Sequence, residues 1–231
     1  MQDQQVRVTF EPQGRAVYVL PGLEEREEAR VARLAHVLRG FTHPHVEAVL
    51  GHGTTSDGQL YIIGEWVGDH DLRRLLDADP VPHRERTASI LLQMCSALSA
   101  AHGRGLVHGN LSPRAIAVVE PQRDLCKLVG FALPVTAAPC YRAPELSSGA
   151  ATAAADVYAL GALALVMLSG REVAEEDMRP HVAQLSSVSA GARELLNSCL
   201  GSVDRVRPSV REFGRDLISV LEMPAMRRAP S

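Results

Sequence analysis

Apolar and polar residues alternate near the start of the chain. Val6-Arg7-Val8-Thr9-Phe10 and Ala16-Val17-Tyr18-Val19-Leu20 both show a period of two, with Glu11-Pro12-Gln13-Gly14 between them. Two such runs around a Pro/Gly turn predict a β-hairpin. After Pro21-Gly22 the period lengthens. Val31, Leu34 and Leu38 share one face of a predicted helix that opens on Glu24, Glu25, Glu27 and Glu28 and stops at Gly40. Val46–Leu50 and Leu60–Trp66 read as strands, with a turn-rich stretch over 51–58 between them. From Gly68 the pattern is helical. Arg84–His102 carries Leu91, Met94, Cys95, Leu98 and Ala101 at three-to-four spacing before Gly103. A loop and the short strand-like run Leu125–Val129 follow. Ala151–Leu168 is apolar nearly all round, which predicts a buried helix ending at Gly170. Residues 190–200 and 208–221 are amphipathic, and 224–231 are expected to form a disordered tail. The pattern predicts an α+β chain, with a reduced β-rich unit over 1–67 and a larger helical unit over 68–223.

Composition narrows the function classes. A hydrophobic content of 46% supports a packed core, and 22% charged residues with a net charge of −3 give no field for nucleic acid or an anionic membrane. The apolar run Tyr158–Leu168 is too short to span a bilayer, and the polar N-terminus shows no signal peptide. Cys95, Cys126, Cys140 and Cys199 lie far apart without a Cys-x-x-Cys pair, so neither a zinc ribbon nor a disulfide framework is expected. These features point to a cytoplasmic protein. Lys127 is the sole lysine among 24 basic side chains.

Residues 106–119, Leu-Val-His-Gly-Asn-Leu-Ser-Pro-Arg-Ala-Ile-Ala-Val-Val, form a polar loop between apolar flanks, without an aspartate, glutamate or lysine. Within it, His108-Gly109-Asn110-Leu111-Ser112-Pro113-Arg114-Ala115-Ile116 resembles the protein-kinase catalytic loop H-R-D-L-K-P-x-N-[IV]. Lys127-Leu128-Val129-Gly130-Phe131-Ala132 resembles K-L-x-D-F-G, and Tyr141–Leu146 resembles Y-R-A-P-E-[LV]. Asp156–Gly161 is similar to D-V-W-S-L-G, Arg207-Pro208-Ser209 to R-P-[ST], and His43–Val46 to H-P-N-[IV]. Leu60–Val67 is similar to the strand that runs into the kinase hinge. These motifs occur in the family's order from His43 to Ser209, which makes the resemblance specific. It implies a bilobal protein-kinase-like fold.

The resemblance also implies what the cleft lacks. Phosphoryl transfer relies on charged groups and metal ligands. Asn110 matches the proton-accepting aspartate, and its amide takes up no proton. Ser112 matches the loop lysine. Ala115 and Gly130 match the two magnesium-binding positions and bring no side-chain oxygen. Leu20 is expected at the position of the phosphate-binding lysine. No metal and no cofactor are therefore expected, and magnesium-ATP should bind weakly or not at all. His108, Phe131, Glu145, Asp156 and Arg207 match the family's architectural residues: a stacked spine, a loop-holding aspartate and a closing ion pair. The expectation is a pseudokinase that is not an enzyme, acting as a scaffold or allosteric regulator of a protein partner such as an active kinase. Leu133 and Val135, apolar in a surface segment, are the candidate partner contacts. Two alternatives stand beside it. One is a nucleotide sensor using the backbone at Glu65, Trp66 and Val67. The other is an enzyme with different transfer chemistry, for which Cys140 is the nucleophile candidate.

Overall fold

The computed structural model describes residues 6–11, 13–120, 122–131, 133, 137–147, 151–201 and 207–220. Near the N-terminus, β1 (Arg7–Glu11) and β2 (Arg15–Val19) form the expected hairpin, in register from Arg7 opposite Val19 to Glu11 opposite Arg15. With β3 (Val49–Thr54) and β4 (Leu60–Glu65) they make an antiparallel sheet of order β1-β2-β4-β3. Helix α1 (Glu25–Leu38) lies against β3 and β4 and buries Val31, Ala35 and Leu38.

The placement of the third strand corrects the sequence expectation. The strand runs over 49–54, through glycines that read as a turn, and Val46 makes only an isolated bridge to Leu128. Pairing with β4 overrides the local turn preference there. Gly53 lies opposite Tyr61, whose ring fills the space that a Cβ would need. The turn itself is confined to Thr55–Gln59, closed by the Thr55 hydroxyl and amide on Gln59.

The helical part follows the predicted order: α2 (Leu72–Ala78), α3 (Arg84–His102), α4 (Ala153–Ser169), α5 (Met178–Gln184), α6 (Ala190–Cys199) and α7 (Val210–Val220). Between α3 and α4, β5 (Ile116–Glu120) and β6 (Leu125–Leu128) form a two-stranded antiparallel sheet. Helix α4 is buried continuously from Ala155 to Met167, as its uniformly apolar sequence requires. Its ends are closed by the Thr152 side chain, which accepts from the Ala155 amide, and by Gly170 at a φ of 70°. Helices α3, α6 and α7 surround it, and one buried cluster joins residues of the sheet, such as Leu60 and Ile62, to Leu98 and Leu160 of the helices. Among the described residues, no helix is long and apolar enough to cross a membrane. The expected tail at 224–231 lies outside the described residues.

Candidate functional site

The polar loop at 108–115 is held from below by α4. Asp156, 1% exposed, accepts from the backbone amides of His108 (3.0 Å) and Gly109 (2.7 Å), and it meets His102 Nε2 at 2.8 Å. The His108 ring stands edge-on to Phe131, with centroids 4.7 Å apart. Burial holds the His108 ring below its usual pKa, so it is neutral. The network then assigns the tautomer: Nε2–H donates to the Val129 carbonyl at 3.0 Å, and Nδ1 accepts from the Asn110 amide at 3.2 Å. A second anchor lies farther out. The wholly buried guanidinium of Arg207 donates to Glu145 Oε2 (2.9 Å), Ala154 O (3.1 Å) and Gly201 O (3.0 Å), with the Tyr158 ring 4.9 Å away.

Above the loop lies a cavity of about 510 Å³ lined by Asn110, Ser112, Ala115, Gly130, Leu133, Tyr18, Arg73, Tyr141 and Glu172. The structure thus brings together four of the five positions expected from the motifs. The fifth requires correction. Leu20 is fully buried in the core, and it is Tyr18, two residues earlier on the same face of the chain, that projects into the cavity. β2 pairs Ala16 with Gly64, and this register turns the Ala16–Tyr18 face toward the cleft.

Tyr18 leads to a residue that the motif reading missed. Its hydroxyl donates to Glu47 Oε1 at 2.6 Å, and Glu47 Oε2 accepts from the Gly130 amide at 3.4 Å. Glu47 is only 8% exposed, and burial is the main cause that pushes its carboxyl up to about 7. The Tyr18 phenol is pushed up as well, first by burial and then by the charge of Glu47. Gly64 of β4 leaves the room: a Cβ there would collide with the Glu47 carboxyl. The available signal was an acid in the apolar stretch Val46-Glu47-Ala48-Val49-Leu50, where a strand to the core has no use for one.

Magnesium, the metal that the motifs imply, does not fit this donor set. Ala115 and Gly130 have no side-chain oxygen, and the carboxylate beside Gly130 already accepts from Tyr18 and the Gly130 amide. Among the described residues, no group of three or more His, Cys, Asp or Glu side chains is arranged to hold a metal.

The remaining candidates are dispersed. The Glu65 amide donates to Ala48 O (2.9 Å), and its carboxylate pairs with Lys127. The Trp66 amide donates to Gly14 O at 2.8 Å, while its ring packs on Phe10 with centroids 4.0 Å apart. Val67 is buried. Cys140 is buried too, and burial raises its thiol to about 11, which disfavours the nucleophilic thiolate. Leu133 corrects its expected place on an open surface: it is partly buried and forms part of the cavity wall, because its apolar side chain has the cleft to pack in. Val135 lies outside the described residues.

Comparison with known proteins adds to this geometry. The chain is 31% identical over 175 residues to the serine/threonine-protein kinase pkn3 of Myxococcus xanthus, a match covering 67% of this chain and 32% of that protein. It is 32% identical over 162 residues to the serine/threonine-protein kinase PknK of Mycobacterium bovis, covering 65% of this chain and 14% of that one. The chain therefore spans a third or less of the length of these relatives. In fold it is similar to Rad53 residues 1-466, solved in complex with AMP-PNP, with a TM-score of 0.72, 21% identity, and coverage of 87% of this chain and 57% of that one. The kinase names of the relatives point to an enzyme, and they correct the expectation drawn from the degenerate motifs that the chain is not one. The protein kinase domain model matches residues 19–216, from β2 through α7, and so takes in the polar loop, its Asp156 anchor and the Arg207–Glu145 pair: the chain belongs to the protein kinase family.

Proposed function

We propose that this kinase-family chain serves signalling as a protein-interaction and allosteric module, with residues 1–67 and 68–223 as its two lobes. The observation that carries the reading is a contrast within one cleft. The contacts that hold the loop, Asp156 on the His108 and Gly109 amides and Arg207 on Glu145, are complete. The positions that the family motif charges with proton transfer and metal binding hold Asn110, Ser112, Ala115 and Gly130. The relatives' names bring phosphoryl transfer to serine or threonine into consideration for this chain. Such a step would have to proceed without the motif's base and magnesium ligands.

In this reading the partner is a protein, such as an active kinase, met at the cavity wall near Leu133, with Val135 as a further contact read from the sequence. Neither nucleic acid nor membrane is involved, and magnesium-ATP contributes little. The four buried thiols suit a cytoplasmic setting. A nucleotide-sensing role has less support, because Trp66 donates its amide to Gly14.

The test combines two measurements on the whole chain. One is transfer from labelled ATP, with magnesium or manganese, to generic serine/threonine substrates. The other is recovery of partners by wild type and by Leu133→Asp. Recovery that is lost in Leu133→Asp, with an unchanged melting curve and no need for nucleotide, supports the module. Transfer at rates typical of kinases, with no partner recovered, would replace it.

A further inference from the structure

We propose that the outer edge of β1 pairs with the same edge of a second copy of this chain, in an antiparallel two-fold arrangement centred on Thr9. This goes beyond the reading of the cleft and does not depend on it, because it uses only the sheet. β1 is the terminal strand, hydrogen-bonded on one side to β2, and no described strand lies beyond it. All five of its residues, Arg-Val-Thr-Phe-Glu, are exposed. Among the described residues nothing pairs with the backbone groups of its other edge, and such an edge is a template for another strand. The strand is short and charged at both ends, but other usual protections are missing. The strand has no proline and no lysine, and its register with β2 runs without a bulge.

The partner follows from self-complementarity. In a two-fold antiparallel pair centred on Thr9, Arg7 of each copy faces Glu11 of the other, Val8 faces Phe10, and Thr9 faces Thr9. Directly opposed residues point to the same face. Both ends therefore gain an opposite-charge pair, and the apolar side chains meet on the face that they already share. Val8 is 44% exposed and Phe10 55% exposed, with the ring of Trp66, 38% exposed, tilted against Phe10. Pairing would take much of that apolar surface out of water. A slip of one residue would separate the charges and put the Val8–Phe10 pair of one copy on the opposite face from that of the other, so the register is specified. In the single chain Arg7 reaches across β2 to Gln59, whose Oε1 accepts from it at 2.6 Å, so pairing with Glu11 of a second copy requires the guanidinium to turn to the outer edge or to use its further donors there.

A contact of one strand from each copy lies at the small end of the range for protein interfaces, so the association should be weak and concentration-dependent. Sedimentation equilibrium on the whole chain, from about 1 μM to about 1 mM, reads it directly. A monomer–dimer equilibrium is expected. Arg7→Glu places like charges at both ends and should raise the dissociation constant about tenfold or more. The double variant Arg7→Glu/Glu11→Arg exchanges the charges and should return the dissociation constant close to the wild-type value. Melting curves show whether each variant is folded. A chain that stays monomeric throughout, a dimer indifferent to Arg7→Glu, or a folded double variant as weak as the single one would each overturn the proposal.

Discussion

Glu47 sits in an otherwise apolar stretch, and its carboxyl ends against the Tyr18 hydroxyl inside the cleft. Burial favours its neutral form, so the folded state keeps a proton that the unfolded chain releases near pH 4.5. Between that pH and about 7 the folded state binds more protons, and the contribution of this group to stability therefore falls as pH rises. Glu47→Gln keeps an acceptor for Tyr18 without the titration. It should resemble wild type near pH 4.5 and become the more stable form at pH 8, by at most about 3 kcal/mol at ~1.4 kcal/mol for each pH unit of the shift. Denaturant midpoints of both proteins across this range check it. A constant difference between them would mean that Glu47 titrates normally.

At the level of elements, α4 and α6 approach closely at a glycine. A Cβ on Gly161 would come within 2.5 Å of the Cβ of Cys199, an atom next to the backbone that cannot swing away. Helix propensity alone favours alanine over glycine by about 1 kcal/mol. Overpacking of a tight helix contact costs about 1–3 kcal/mol, so the clash should win. Gly161→Ala is expected to lower stability by up to about 2 kcal/mol, the difference of these opposed effects. An unchanged or raised melting temperature would show that α6 shifts freely. The third strand illustrates the opposite balance. Gly51 and Gly53 favour a turn locally, yet the ladder with β4 and the Tyr61 ring over Gly53 hold them extended.

Across the whole molecule, the Arg207–Glu145 pair ties residues on either side of α4 and α6. The guanidinium is fully buried and also satisfies the carbonyls of Ala154 and Gly201. Arg207→Ala leaves those acceptors and the carboxylate without it and should cost about 3–5 kcal/mol. Asn110→Ala changes a cavity wall instead, and it keeps the backbone amide that bonds to His108. Its cost should stay within about 0.5 kcal/mol. Urea melts of the two variants that showed the reverse order would contradict this division between framework and cleft.

Much of this molecule was legible in one dimension. Period-two runs located the first hairpin, three-to-four spacing located α3, and the uniform apolarity of Ala151–Leu168 announced a buried helix. Local sequence carries these because each element must present a continuous apolar face to the core. The ordered motifs likewise marked the polar loop, its histidine and its Asp156 anchor. Tertiary structure decided what depends on register and packing. Tyr18 and Leu20 lie on one face of the chain, and what separates them is where β2 ends: Tyr18 is paired with Ile62 and reaches the cleft, whereas Leu20, beyond the last paired residue Val19, is buried in the core. The partnership of Glu47 with Tyr18 joins residues distant in sequence, and only the space left by Gly64 admits it. Leu133 follows the same logic: its apolarity could be read directly, but the surface it covers is set by the elements that meet around the cavity.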